Sequence, residues 1–109
     1  MKILFVCTGN VDRSKTAEEM FQNVENVEAK SAGTSIAATV PLSKELIAWA
    51  DRIFVMECKH QKAVLKLDSE AWNKVECLDI PDEYYHGQEE LKRLLTERLQ
   101  PFTRKKNEH

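Results

Sequence analysis

Cys7 and Arg13 stand six positions apart in the segment "KILFVCTGNVDRSKTAEEMF", residues 2–21. The cysteine follows an apolar run, Ile3 to Val6, while Arg13 and Ser14 open a helical pattern. Thr8, Gly9, Asn10, Val11 and Asp12 form the loop between them. A short loop wrapping into a helix N-terminus points several backbone N–H groups at one spot, and the helix dipole adds partial positive charge there. Such a spot suits an oxyanion. Gly9 relaxes backbone limits and Asn10 tolerates left-handed geometry, so both suit a tight curl. A cysteine over a helix N-terminus and near an arginine has its thiolate favoured and is a strong nucleophile. Arg13 supplies a planar fork for two oxygens of a tetrahedral anion. Ser14 can donate its hydroxyl to the Cys7 sulfur and help it leave. Together these suit attack on phosphorus, with the equatorial oxygens held by residues 8–14. A buried cysteine and an arginine at a helix start are each common. The strand–loop–helix setting carries the chemical reading.

That device needs a sheet to hold it. Ile3–Val6 reads as a buried strand, and Ala17, Met20, Phe21 and Val24 give a first helix over about 14–25. A second strand starts at Val27 and a second helix at Ser43, with Leu46, Ile47 and Ala50 inward. Arg52–Met56 is a third strand. A helix over His60–Trp72 turns Ala63, Val64 and Leu67 inward, and Trp49 and Trp72 read as core. A fourth strand begins at Val75, and Gln88–Leu99 is a last helix with Leu91, Leu94, Leu95 and Leu99 on one face. Buried strands alternating with helices imply a parallel sheet. The expected fold is a three-layer α/β/α sandwich on a four-stranded parallel sheet in the flavodoxin-like order 2-1-3-4. Ligands bind such sheets at the carboxyl ends of the strands, where the Cys7 loop lies.

With 109 residues, the chain suits one domain over 1–109. Hydrophobic content of 42% supports a core, and a formal net charge of −2 attracts neither nucleic acid nor anionic membrane. The basic tail "RKKNEH" reads as a solvated terminus. No apolar run approaches a membrane span, and the first residues read as a strand rather than a signal peptide. Three cysteines, Cys7, Cys58 and Cys77, do not make a disulfide framework, so a reducing cytoplasm is expected. No His, Cys and carboxylate set has zinc spacing, and no cofactor is expected.

The segment "CTGNVDRS" resembles the Cys-x-Gly-Asn-x-x-Arg-Ser loop of the low-molecular-weight protein tyrosine phosphatases. "TAEEMF", "SAGT" at Ser31–Thr34, "ADRIFVME" at Ala50–Glu57 and "LDIPDEYY" at Leu78–Tyr85 are similar to later segments of that family. The chain is shorter than typical members and looks most like a compact bacterial branch. The resemblance implies a phosphomonoester hydrolase acting on a phosphotyrosine protein or a small phosphate ester; separately, a monomer is expected. On that reading Cys7 attacks phosphorus, a phosphocysteine forms, and an aspartate serves as acid and then base.

The resemblance places that aspartate in an Asp-Pro-Tyr loop. Asp82, followed by Glu83 and Tyr84, fits with the proline replaced; Asp79 is the rival, and either could merely cap a turn beside Pro81. Tyr84 and Tyr85 read either as an aromatic rim or as surface tyrosines. The family often has a second cysteine before its arginine. Asp12 stands there instead, pointing to solvent or paired with a base; without that protective thiol, Cys7 is expected to over-oxidise more readily unless another thiol reaches it. Lys15, in place of the family's proline, adds potential at the mouth or is simply solvated. His60 reads first as a surface residue at a helix start, and second as support for the loop asparagine. Two other functions share the loop: a thiol-dependent arsenate reductase, which needs two relay cysteines that Cys58 and Cys77 do not resemble, and a non-catalytic phosphate sensor.

Overall fold

The computed structural model describes residues 1–100. The tail segment "RKKNEH" lies outside them. Four parallel strands, β1 (Lys2–Cys7), β2 (Glu28–Gly33), β3 (Arg52–Val55) and β4 (Val75–Cys77), form one sheet in the order β2-β1-β3-β4. Among the described residues the α-helices are α1 (Arg13–Met20), α2 (Lys44–Trp49), α3 (Cys58–Leu67) and α4 (Glu89–Arg98). This is the expected α/β fold and strand order.

Strand β1 is central, and its alternation builds both cores. Ile3, Phe5 and Cys7 face one side, where they meet Ala17 and Phe21 around α1 and Leu91, Leu95 and Leu99 around α4. Leu4 and Val6 face the other side and meet Ile47, Ala50, Ile53, Val64 and Ala71. A strand buried on both faces must read as a continuous apolar run, as Ile3–Val6 does. Register then carries the site. Val6 pairs with Val55, and Val55 with Cys77, so the ends of β1, β3 and β4 reach one edge together.

Several expectations need correction. Helix α1 stops at Met20, because residues 21–27 continue only as turns. Helix α3 begins at Cys58 and ends at Leu67, where Asp68 turns extended and caps a 3₁₀ segment, Ser69–Lys74, through Glu70 N–H. That break swings Trp72 outward to 68% exposure, so it is not core. Leu67 is also exposed and Ala63 only half-buried. Ser43 caps α2 by accepting from Leu46 N–H, as its place before the helix predicts.

Candidate active site

The loop between β1 and α1 is fixed from outside. The carbonyls of Cys7, Thr8 and Gly9 accept from the N–H groups of Thr34, Ser35 and Thr39 at 2.9, 3.0 and 3.2 Å. In a trans peptide the C=O and the next N–H point opposite ways. Binding those carbonyls outward therefore turns the N–H groups of Thr8, Gly9 and Asn10 inward. Asn10 N–H reaches the Cys7 Sγ at 3.2 Å. The left-handed residue of the curl is Asn10, with φ 58°. Gly33 makes the arrangement possible. A Cβ there would collide with the Thr8 carbonyl and with the Ala38 side chain, and would crowd Asn10 N at 3.0 Å. The sequence marked "SAGT" only by resemblance. Its physical role is this close approach.

Cys7 is buried at the floor of the loop. Ser14 Oγ lies 3.0 Å from its sulfur and donates to Asn10 Oδ1 at 2.9 Å. The hydroxyl has one proton to give. While it serves Asn10, the Cys7 thiol donates to Ser14 Oγ. When the sulfur is an anion, the hydroxyl can turn to it.

Arg13 is buried to 2% exposure, a charge that must be paired. Its Nη1 donates to the Ile80 carbonyl at 2.8 Å and lies 3.2 Å from Glu57 Oε1. Its Nη2 lies 3.8 Å from Asp82 Oδ1. Burial alone would raise the Glu57 carboxyl, but Arg13, by hydrogen bond and by charge, with Lys59 and His60, brings it below the usual range. Glu57 was not singled out in the sequence. An acid directly after a buried strand, on the strand edge that faces the loop, was the available signal.

His60 requires the opposite of the first expectation: it is fully buried. Its Nδ1 accepts from Glu57 N–H at 2.9 Å, so Nε2 carries the proton and donates to Thr8 Oγ1 at 2.9 Å. It thus supports Thr8 of the loop rather than Asn10. Burial first, then the Arg13 charge, lowers its pKa to about 4, against the opposing pull of Glu57. At neutral pH it is an uncharged donor.

The segment 78–87 is anchored from several sides. Leu78 and Ile80 donate to the carbonyls of Val55 and Met56. Arg98 grips the carbonyls of Leu78 and Asp79 at 2.6 and 3.0 Å. Asp79 takes a left-handed turn at φ 59°. Farther on, Asp12 Oδ1 accepts from His86 N–H at 2.8 Å, and Thr16 Oγ1 from Gly87 N–H at 2.9 Å. Asp12 therefore binds backbone, where solvent or a base was expected. Thr16 and His86 were not foreseen. Tyr84 packs on the core beside α1 and α4, while Tyr85 is exposed. Lys15 pairs with Glu18 at 3.5 Å.

These elements enclose an open cleft of about 340 Å³ lined by Cys7, Thr8, Gly9, Val11, Asp12, Arg13 and Asp82. Asn10 and Ser14 lie beneath it as buried supports, and Asp79 is not in the lining. Among the described residues, no cluster of three or more His, Cys, Asp or Glu is placed to hold a metal. No helix among them is long and apolar enough to cross a membrane.

Residues 2–43 match the family described as low molecular weight phosphotyrosine protein phosphatase. No curated protein sequence matches the chain. Among solved structures, it is similar to the YwlE arginine phosphatase from Geobacillus stearothermophilus at 29% identity and TM-score 0.73, covering 90% of this chain and 89% of that one. It is similar to Vibrio vulnificus Wzb in complex with benzylphosphonate at 28% identity and TM-score 0.75, covering 89% and 92%. A third likeness, at 25% identity and TM-score 0.68 over 87% and 91%, is to a cysteine-to-serine mutant of the YwlE arginine phosphatase with a phosphorylated active site serine. The matched segment carries the Cys7 loop, and the fold is shared over about nine-tenths of the chain: this protein is similar to the low-molecular-weight protein tyrosine phosphatases, a family of cysteine-dependent phosphohydrolases.

Proposed function

We propose that the chain hydrolyses phosphomonoesters through a phosphocysteine on Cys7, with Arg13 holding the phosphoryl group and Asp82 as general acid and base. The observation that carries this reading is the shared cleft: sulfur on its floor, a buried guanidinium on its wall and a carboxylate at its rim. The sulfur attacks phosphorus in line with the leaving oxygen. Backbone N–H groups of residues 8–14 and the Arg13 fork take the equatorial oxygens. Asp82, protonated, gives its proton to the leaving oxygen. Its carboxylate then takes a proton from water, which attacks the phosphocysteine and frees phosphate. The Ser14 hydroxyl turns to the sulfur as it leaves. The phosphorylated serine of the similar arginine phosphatase mutant supports transfer to the residue at this place.

Asp82 is preferred to Asp79 because only Asp82 borders the cleft. Val11, exposed in the cleft lining, suits an open rim and an aromatic ester such as phosphotyrosine. On this reading the partners are phosphorylated substrates alone, met by a monomer in the cytoplasm. A relay of the arsenate reductase kind finds little support. Cys7 belongs to the core under α1 and α4, whereas Cys77 packs against the core on the other face of the sheet. Steady hydrolysis of p-nitrophenyl phosphate by the wild type, absent in Cys7→Ser, is the expected test result. Phosphate binding without any turnover would favour the sensor and overturn the proposal.

A further inference from the structure

Two thiols take no part in that reaction. Cys58 is the exposed first residue of α3, and Cys77 is the half-buried last residue of β4. Their Sγ atoms lie 3.8 Å apart, although 19 positions separate them in the chain. A disulfide needs about 2 Å between the sulfurs, so the remaining gap is within reach of side-chain rotation. Cys7 cannot share in this pair without rearrangement, since it sits under the opposite face of the sheet, two strands from β4.

We propose that Cys58 and Cys77 form a second thiol site, separate from the Cys7 cleft, which a peroxide closes to an intramolecular disulfide. The Cys58 sulfur, the more exposed, attacks one peroxide oxygen. The O–O bond breaks, hydroxide leaves and Cys58 becomes a sulfenic acid. The Cys77 sulfur then attacks the Cys58 sulfur; the S–O bond breaks, the S–S bond forms, and the oxygen leaves as water with the proton of Cys77. The two thiols lose two electrons and the peroxide ends as two waters. A dithiol reductant returns both electrons by exchange. Cys77 suits the second, resolving part. Burial pushes its thiol up, the Asp79 N–H pulls the other way, and the neighbouring sulfur adds a smaller push up, so the half-buried Cys77 is the less ready of the two to attack peroxide first. The new bond would join the start of α3, beside Glu57, to the strand end that leads into the Asp82 loop.

The test uses the full chain carrying Cys7→Ser, so that no other thiol competes. It is treated with hydrogen peroxide, its remaining thiols are alkylated, and its peptides are read by mass spectrometry. The expected product is a Cys58–Cys77 cross-linked peptide, two hydrogens lighter than the reduced pair and restored by dithiothreitol. In a second variant that adds Cys77→Ser, Cys58 should pass to the sulfinic acid at least about tenfold faster, for want of a resolving thiol. Sulfinic Cys58 without a cross-link, or dimers joined through Cys58, would overturn the proposal. So would a Cys7–Cys58 or Cys7–Cys77 disulfide as the main product in the wild-type chain.

Discussion

Lowering the pH from 7 to 5 should destabilise the protein through His60, and the size follows from its burial. The unfolded imidazole takes its proton near pH 6.5, the folded one only near about 4. Between those values the unfolded chain binds more protons, so stability falls as pH falls, and the full loss is reached below the folded value. At about 1.4 kcal/mol per pH unit, the interval from 6.5 to about 4 amounts to about 3 kcal/mol. About 2 kcal/mol of that is lost between pH 7 and 5. His60 is fully buried, so solvent does not screen the effect. Glu57, whose carboxyl is lowered from 4.5, loses its contribution only below this window. The assay is urea unfolding of the wild type and of His60→Gln at several pH values. Gln hydrogen-bonds but does not titrate, and the difference between the two curves cancels every other group. That difference should shrink by about 2 kcal/mol between pH 7 and 5. Parallel curves would refute the reasoning and mean that His60 accepts a proton in place.

Asp82→Ala should slow phenyl phosphate or phosphotyrosine by about 10²–10⁴-fold, and the activated p-nitrophenyl ester far less, because only a poor leaving group needs the proton. Asp79→Ala should affect all esters alike or lower stability; leaving-group dependence there would move the acid to Asp79. Arg13→Lys keeps the charge and loses the fork, so kcat/KM should fall about 10²-fold in steady-state assays. Near-wild-type kinetics would mean that Arg13 does not grip the phosphoryl group. Gly33→Ala should cost about 1–3 kcal/mol in denaturant unfolding and weaken phosphate binding, because the added methyl must displace the Thr8 carbonyl. An unchanged phosphate affinity would show that the loop yields without losing its shape.

The sheet and the Cys7 loop were legible because both are local in sequence. The run Ile3–Val6 announces a strand buried on two faces, and Gly-Asn between a strand and a helix announces a curl. What holds the curl was not legible, because it comes from distant segments. The contacts of Gly33 with Thr8, Glu57 with Arg13 and His60 with Thr8 depend on how β1, β2 and β3 pair. A histidine at the third position of a helix carries no sign of its burial until the partner strand is known. Trp72 failed for a different reason: the helical spacing continued past Leu67, but the cap at Asp68 broke the phase. The 3.8 Å approach of Cys58 to Cys77 follows from β3 pairing with β4, a register that spacing along the chain does not reveal.

The central claim is covalent transfer of phosphate to Cys7. It is tested most directly by mixing the enzyme with p-nitrophenyl phosphate, quenching in the steady state and mapping the phosphate by mass spectrometry. The expected result is a phosphocysteine at Cys7, with a burst of p-nitrophenol that approaches one per enzyme when hydrolysis of the intermediate limits the rate. Turnover in Asp82→Ala, where release of that intermediate is slowed, should make the phosphocysteine easier to collect. Sustained hydrolysis with no phosphate on Cys7 in either protein would contradict the account.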